Sequence, residues 1–266
     1  MHTLRVLRRL VAIDLTQTLI YRGAFVIYML SMVVGPAVAL LVWRAAAANG
    51  ATLPVTEEYL VSYFVLLGVV NMLVSSWMAY FLAEMIRLGK LSIWLVRPAS
   101  VFLSMVANNI SEKLIKAVIL IPLIGVLGWF FRDDLRLPES AATWTLFVVS
   151  VLMAATITFA LDIVLGASAF WFDDIGGLLR LRFLAGGVLS GQLVPLALFP
   201  DWTAGFIATQ PFRFMLSFPL ELLVGGLSER EVALGLSLQL GYTALAVGGS
   251  MLVWRRGQRM YAAVGA

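Results

Sequence analysis

The chain has 266 residues, of which 61% are hydrophobic and 13% charged, and its net charge is +4. One water-soluble core cannot bury that much apolar surface, so the composition excludes a soluble globular protein and predicts an all-α integral membrane protein. The sequence has no cysteine, and its one histidine is His2. A zinc site and a Cys/His or Ser/His catalytic pair therefore lack their parts, and we expect no catalytic and no metal-binding residue.

The first predicted element is an amphipathic helix over residues 1–23, which we expect to lie along the inner membrane leaflet. Its apolar residues recur at helical spacing, and arginines occupy its other faces. A secretory signal peptide is the alternative, but the uncharged run that follows is too long for a signal core. Six spans are predicted in one domain over 1–266, at about 24–43, 59–83, 108–131, 142–172, 180–199 and 232–254.

The third span poses a length problem. Its uncharged part, 117–131, is shorter than the roughly 20 residues that a bilayer requires. The helix must therefore begin earlier and carry Glu112, Lys113 and Lys116 near the inner interface. Glu112 can pair there with Lys116, one turn further along the helix.

Between the last two spans, residues of about 200–228 are predicted to form a re-entrant helical hairpin on the outer side. Arg213 and Glu221 would each be costly in hydrocarbon, so a seventh span is unfavourable. The termini and the stretches around 84–116 and 173–182 hold 14 of the 19 Lys and Arg residues. This distribution predicts that both termini are cytosolic, and it explains the net charge without nucleic acid as a partner.

A basic, partly apolar segment, Glu84–Pro98, separates the second and third spans. We expect a short amphipathic helix on the cytosolic face, and a basic loop attracted to lipid is the alternative. The chain contains no Gly-x-x-x-x-Gly-Lys-Ser/Thr loop, so it is not predicted to bind a nucleotide by that route.

Three polar residues of the predicted interior are candidates for a translocation path. Asp162 is either a cation or proton site or, as we favour, one half of an ion pair with Arg180, Arg182 or Lys116. Asn71 and Gln192 either line a path for a polar solute or hydrogen-bond neighbouring helices.

Two motifs resemble a known family. The first is Glu84-x-x-Arg87-x-Gly89-x-Leu91 followed by Leu95-x-Arg97-Pro98. The second is Leu189-Ser-Gly191-Gln-Leu-Val-Pro195-Leu-x-x-Phe-Pro200-Asp-Trp202, followed by Gln210-Pro211-Phe212. Their order and spacing are similar to those of the membrane subunits of type 2 ATP-binding cassette exporters, in the six-span bacterial branch that works beside a separate ATPase.

The resemblance implies a permease subunit in the bacterial cytoplasmic membrane. Its partners would be two ATPase subunits, which carry the ATP and Mg²⁺, and a second permease that is a copy or a paralogue. The chain itself would hold no cofactor. The implied coupling helix carries Glu84, Arg87, Gly89, Leu91, Arg97 and Pro98, and the implied outer gate carries Gly191, Pro195, Pro200 and Pro211. The cargo is expected to be hydrophobic or amphipathic. An ion-coupled secondary transporter or a channel without an ATPase is the alternative.

Overall fold

The computed structural model describes residues 2–20, 22–51, 53–96, 100–132, 135 and 137–261. These residues form helices and turns and contain no strand, which confirms the all-helical prediction. The helices are α1 (His2–Ile20), α2 (Arg22–Ala48), α3 (Glu57–Val74), α4 (Met78–Arg87), α5 (Leu91–Leu95), α6 (Val101–Phe130), α7 (Ala141–Ala167), α8 (Gly176–Leu189), α9 (Ala204–Thr209), α10 (Ser217–Val224) and α11 (Glu229–Met260).

Three helical stretches within the described residues are long and apolar enough to cross a membrane. They are Glu57–Arg87, Ala141–Phe170 and Glu229–Met260, and they coincide with the second, fourth and sixth predicted spans. A shorter apolar helix covers Val34–Ala48, inside α2. The remaining spans of the six-span arrangement stay predictions.

Helix α3 lies at the centre of the described helices. Tyr63, Leu67 and Val70 are fully buried, and they belong to a core to which α2, α7 and α10 also contribute. Thr56 caps the start of the helix by accepting a hydrogen bond from the backbone of Tyr59, 3.2 Å away. The second span is therefore the most protein-enclosed of the three stretches.

The second predicted span, about 59–83, is interrupted. Helix α3 ends at Val74, Ser75 is extended, and α4 begins at Met78. Serine side chains favour such ends because they compete for backbone hydrogen bonds, and Ser76 accepts one from the N–H of Met78 at 3.3 Å. We call the three residues 75–77 the break.

Helix α6 begins at Val101, seven residues before the predicted start of the third span, and it contains the predicted Glu112–Lys116 ion pair. Helix α1 packs against α6, and the Ser111 hydroxyl donates to the carbonyl of Val11 at 3.2 Å. Partial burial in α1 raises the pKa of Asp14. The predicted N-terminal helix is thus present, while its position at a membrane surface stays a prediction.

Helix α8 ends earlier than the predicted fifth span, about 180–199. Its 14 residues give a length of about 21 Å. Gly191 ends the helical path with a φ of +83°, and Pro195 and Pro200 each precede a short 3₁₀ turn. The region from 200 to 228 consists of short helical pieces, including α9 and α10, and its place relative to a membrane stays a prediction.

Candidate coupling surface, polar cavity and hairpin

The basic segment folds as a tight turn followed by a short helix. Gly89 provides the turn with a φ of +67°, and α5 follows from Leu91. Glu84 Oε1 lies 3.1 Å from Lys90 Nζ across this turn, and both side chains are largely exposed. The exposed side chains of this surface, which we call the coupling surface, are Glu84, Arg87, Leu88, Lys90, Ile93, Leu95 and Val96.

The coupling surface is fixed to the core from beneath. Leu91 is fully buried in a cluster with Met105 of α6, Ile163 of α7 and Trp254 of α11. The same cluster contains residues of α4, so Leu91 is buried among side chains of four other helices. Of the residues that the sequence assigns to the coupling helix, Arg97 and Pro98 lie outside the described residues.

A second contact joins α5 to the end of the chain. The hydroxyls of Ser92 and Tyr261 lie 3.0 Å apart. Trp94 packs on the same cluster as Leu91. The short helix is thus held on both of its buried sides, although five residues alone would not be a stable helix in water.

Two lysines of α6 reach the α3 side of the break. Lys113 Nζ donates to the carbonyl of Ser75 at 2.9 Å, and Lys116 Nζ donates to the Ser75 hydroxyl at 2.8 Å. A helix exposes unpaired carbonyls and negative partial charge at its C-terminus, so cations are favourable there. The lysines therefore stabilise the end of α3 inside the protein.

Asp162 of α7 serves the opposite side of the break. The Ser76 hydroxyl and the backbone N–H of Ala79, in the first turn of α4, are the polar groups at the break that lie nearest its carboxylate. A helix carries positive partial charge at its N-terminus, so an acidic side chain is favourable there. Arg182 Nη2 of α8 lies 2.8 Å from Asp162 Oδ1 and balances its charge. Of the three partners that the sequence left open, the structure shows Arg182.

A cavity of about 110 Å³ lies beside the break. Besides Phe183, Gly186 and Gly187 of α8, its lining includes seven polar residues, which are Asn71, Ser75, Ser76, Thr158, Arg182, Ser190 and Gln192. We call it the polar cavity. Two of the three predicted path residues, Asn71 and Gln192, therefore meet at one place, and the third, Asp162, is ion-paired to a lining residue.

The predicted gate region begins with a close approach to α3. The Tyr63 hydroxyl donates to the carbonyl of Gly191 at 2.9 Å and lies 3.3 Å from the Ser217 hydroxyl. Ser217 in turn donates to Glu221 at 2.7 Å, and Arg213 binds the same carboxylate at 2.5 Å. One hydrogen-bonded network therefore joins the centre of the subunit to α10.

This network explains how Arg213 and Glu221 are tolerated. Their side chains are 12% and 13% exposed, and each neutralises the other. Arg213 also donates to the carbonyl of Ala208 at 2.8 Å and lies over the ring of Phe218. The ion pair and these contacts thus offset part of the cost of burying the two charges.

Two glutamines attach the region to the neighbouring helices. Gln210 Nε2 donates to the carbonyl of Leu189 at 2.6 Å, at the end of α8. The buried Gln239 of α11 donates to the carbonyls of Ser150 and Phe214, at 2.9 and 3.0 Å. The short helical pieces therefore form a fixed part of the subunit.

The predicted gate prolines lie around this network. Pro195 is buried, its carbonyl accepts from Leu198, and Pro200 lines a cavity of about 430 Å³ with Arg213 and Glu221. Pro211 is exposed, and its carbonyl accepts from Phe214. The four assigned positions thus belong to one region, while their role as a gate stays a prediction.

Sequence reasoning missed the residues that hold the break. The sequence predicts Lys113 and Lys116 near the inner interface, and it predicts 59–83 as one continuous span. The available signal was a pair of adjacent serines in an apolar run of one predicted span, with two lysines one turn apart in the next. Tyr63 gave no signal, because a tyrosine in an apolar run is as easily explained by packing.

These features define a helical membrane protein with a polar cavity beside a broken membrane-spanning helix. The model of the family described as ABC-2 family transporter protein matches residues 33–265. The chain belongs to that family, and it is a membrane transport component of the type found in ATP-binding cassette exporters. The resemblance seen in the two sequence motifs is thereby confirmed. A comparison with curated proteins gives no match.

Proposed function

We propose that this chain is the permease subunit of an exporter that forms the substrate path and is driven by a separate ATPase subunit. One observation carries the proposal. The coupling surface exposes charged and apolar side chains, while Leu91 directly beneath it is fully buried. A solvated loop would not need such an anchor. A surface that receives force from a partner protein needs a buried anchor such as Leu91.

The break gives this force a place to act. Because α3 and α4 are separate helices, α4 and α5 can tilt together against α3. Such a tilt changes the contacts of Ser76 and Ala79 with Asp162, and it therefore changes the wall of the polar cavity. ATP binding and hydrolysis on the partner would shift the population between two arrangements of these helices.

The proposed assembly contains two copies of the ATPase, with ATP and Mg²⁺ bound there, and two permeases that are identical or paralogous. It lies in the bacterial cytoplasmic membrane with the coupling surface and both termini in the cytosol. The concentration of 14 of 19 basic residues in the stretches assigned to that side supports this orientation.

The test is co-purification. The tagged chain, extracted in detergent from its own cells, is expected to retain an ATP-binding cassette ATPase that mass spectrometry identifies. Charge reversal by Glu84→Arg together with Arg87→Glu should remove the ATPase from the eluate, because both side chains are exposed on the coupling surface. Glu229→Arg reverses an exposed acid in the first turn of α11, outside the coupling surface, and should leave the ATPase bound.

Retention of the ATPase by the doubly reversed variant would contradict the coupling assignment. So would proteoliposomes in which the purified chain alone moves solute down an ion gradient. That second result would favour a secondary transporter.

A further inference from the structure

We propose that the polar cavity binds the anionic head group of an amphiphilic molecule whose apolar tail lies along α8. This inference deepens the proposed function, on which it rests, because the bound amphiphile would be the cargo or its first resting place. The cavity, the charges around it and the apolar surface at its mouth each support it.

Polar groups without partners face the cavity. The side-chain amides of Asn71 and Gln192 line it and make no hydrogen bond with any described residue. Arg182 Nε is buried and has no hydrogen-bond partner among the described residues either. Polar groups that lack protein partners are stabilised by a polar occupant, so the cavity favours water or a polar group over an apolar one. Amide and guanidinium donors together favour an oxygen-rich anion such as a phosphate or a carboxylate.

The charge balance around the cavity is positive. Asp162 pairs with Arg182, and Glu112 pairs with Lys116. Lys113 makes no ion pair with any residue in the described ranges, and it donates only to the carbonyl of Ser75. The two acids and three bases of this region thus leave one positive charge, which favours an anion over a neutral or cationic group.

The mouth of the cavity is apolar. Phe183 lines the cavity and is 72% exposed, and Leu181 and Leu184 on the same helix are each 64% exposed. Gly186 also lines the cavity and has no side chain to close it. A volume of about 110 Å³ holds several waters or one head group, but it is too small for a whole amphiphile. The rest of the molecule must lie outside, where α8 offers the surface that a hydrocarbon tail prefers.

The experiment measures lipid retention by native mass spectrometry of the full-length chain in detergent. The probes are dioleoylphosphatidic acid and dioleoylphosphatidylcholine, which share their tails and differ in head group. We expect selective retention of the phosphatidic acid. Gln192→Leu and Asn71→Leu should each lower it about tenfold, because each removes hydrogen-bond donors to a charged group. Both variants keep the Asp162–Arg182 ion pair, and either one alone is a sufficient test.

Arg180→Gln is the matched control. It removes an exposed arginine of the same helix that does not line the cavity, and it should leave retention unchanged. Equal retention of the two lipids would overturn the proposal, and so would an Arg180→Gln effect as large as that of Gln192→Leu. Displacement of the phosphatidic acid by millimolar inorganic phosphate would show that the cavity binds soluble anions. That result would overturn the proposal that its ligand is an amphiphile.

No ATPase takes part in this measurement. An intact ATPase complex without lipid selectivity therefore overturns this inference alone. Lipid selectivity in a chain that binds no ATPase overturns the proposed function alone.

Discussion

The hydroxyl of Tyr63 lies 2.9 Å from the carbonyl of Gly191, 128 positions later in the chain. The bond joins the buried centre of α3 to the turn that follows the end of α8. Only glycine fits there. Its φ is +83°, and a Cβ atom at this position would lie 2.3 Å from the Tyr63 hydroxyl oxygen.

Gly191→Ala is therefore expected to destabilise the subunit. The backbone conformation alone costs about 1–2 kcal/mol for a residue with a Cβ. Displacing the Tyr63 hydroxyl adds about 1 kcal/mol from its lost hydrogen bond. A lower Tm in detergent, measured by tryptophan fluorescence, would show the effect. Gly205→Ala in α9, where a Cβ meets nothing within 4 Å, should leave Tm almost unchanged.

A double-mutant cycle separates the clash from the backbone strain. Tyr63→Phe removes the hydroxyl that the new Cβ would strike, so Gly191→Ala should cost less in that background than in the native chain. An equal Tm loss in both backgrounds would show that the Tyr63 hydroxyl does not cause the clash with the new Cβ atom.

Breaking the Asp162–Arg182 pair gives the second prediction. Asp162→Asn leaves the arginine without its anion and weakens the start of α4, and we expect a loss of about 3 kcal/mol. This is the low end for a broken buried pair, because the Arg182 side chain remains 27% exposed. Adding Arg182→Gln removes the uncompensated charge and should restore part of the stability, as measured by chemical unfolding in detergent.

The exposed pair Glu84–Lys90 is the control for that loss. Its side chains are 64% and 53% exposed, so Glu84→Gln should change stability by less than about 1 kcal/mol. If Asp162→Asn costs no more than Glu84→Gln, then the buried ion pair between α7 and α8 does not stabilise the fold.

Helix content and the Glu112–Lys116 pair could be predicted because both depend on neighbouring positions in the chain. Hydropathy reports apolar length, and residues four apart on a helix meet regardless of the rest of the fold. The partner of Asp162 could not be chosen, because Arg180, Arg182 and Lys116 differ only in how three helices are rotated against one another. That rotation is set by packing, which no local pattern encodes.

The helix ends were predicted less well for a related reason. The break at residues 75–77 is too short to change the hydropathy of the surrounding window, so 59–83 read as one span. The end of α8 was placed ten residues late, because the apolar residues of the turn Leu196–Leu198 continue the hydropathic run after Gly191. The ends of α3 and α8 are set by backbone hydrogen bonding, which the average hydropathy of a sequence window does not report.

Gly257 in α11 provides the third prediction. A Cβ there would lie 2.0 Å from Cδ2 of Phe170, whose ring packs 5.8 Å from that of Trp254 in the cluster that holds α5. Gly257→Ala should therefore displace Phe170, lower Tm and weaken ATPase retention together. Gly248→Ala in the same helix meets nothing within 4 Å and should be neutral or slightly stabilising. Equal Tm values for the two variants would show that Phe170 moves aside freely.

The sidedness of the coupling surface can be tested with single cysteines, because the native chain has none. Val96, beside α5, is 84% exposed, and Trp202, just before α9, is 87% exposed. A cysteine at either position should therefore react with any reagent that reaches its side of the membrane. In intact cells a membrane-impermeant maleimide is expected to label Trp202→Cys and to label Val96→Cys only after permeabilisation. Leu91→Cys, at a fully buried position, should stay unlabelled in both conditions while the protein is folded. Labelling of Val96→Cys from outside would place the coupling surface on the wrong side for an ATPase, since ATP is in the cytosol.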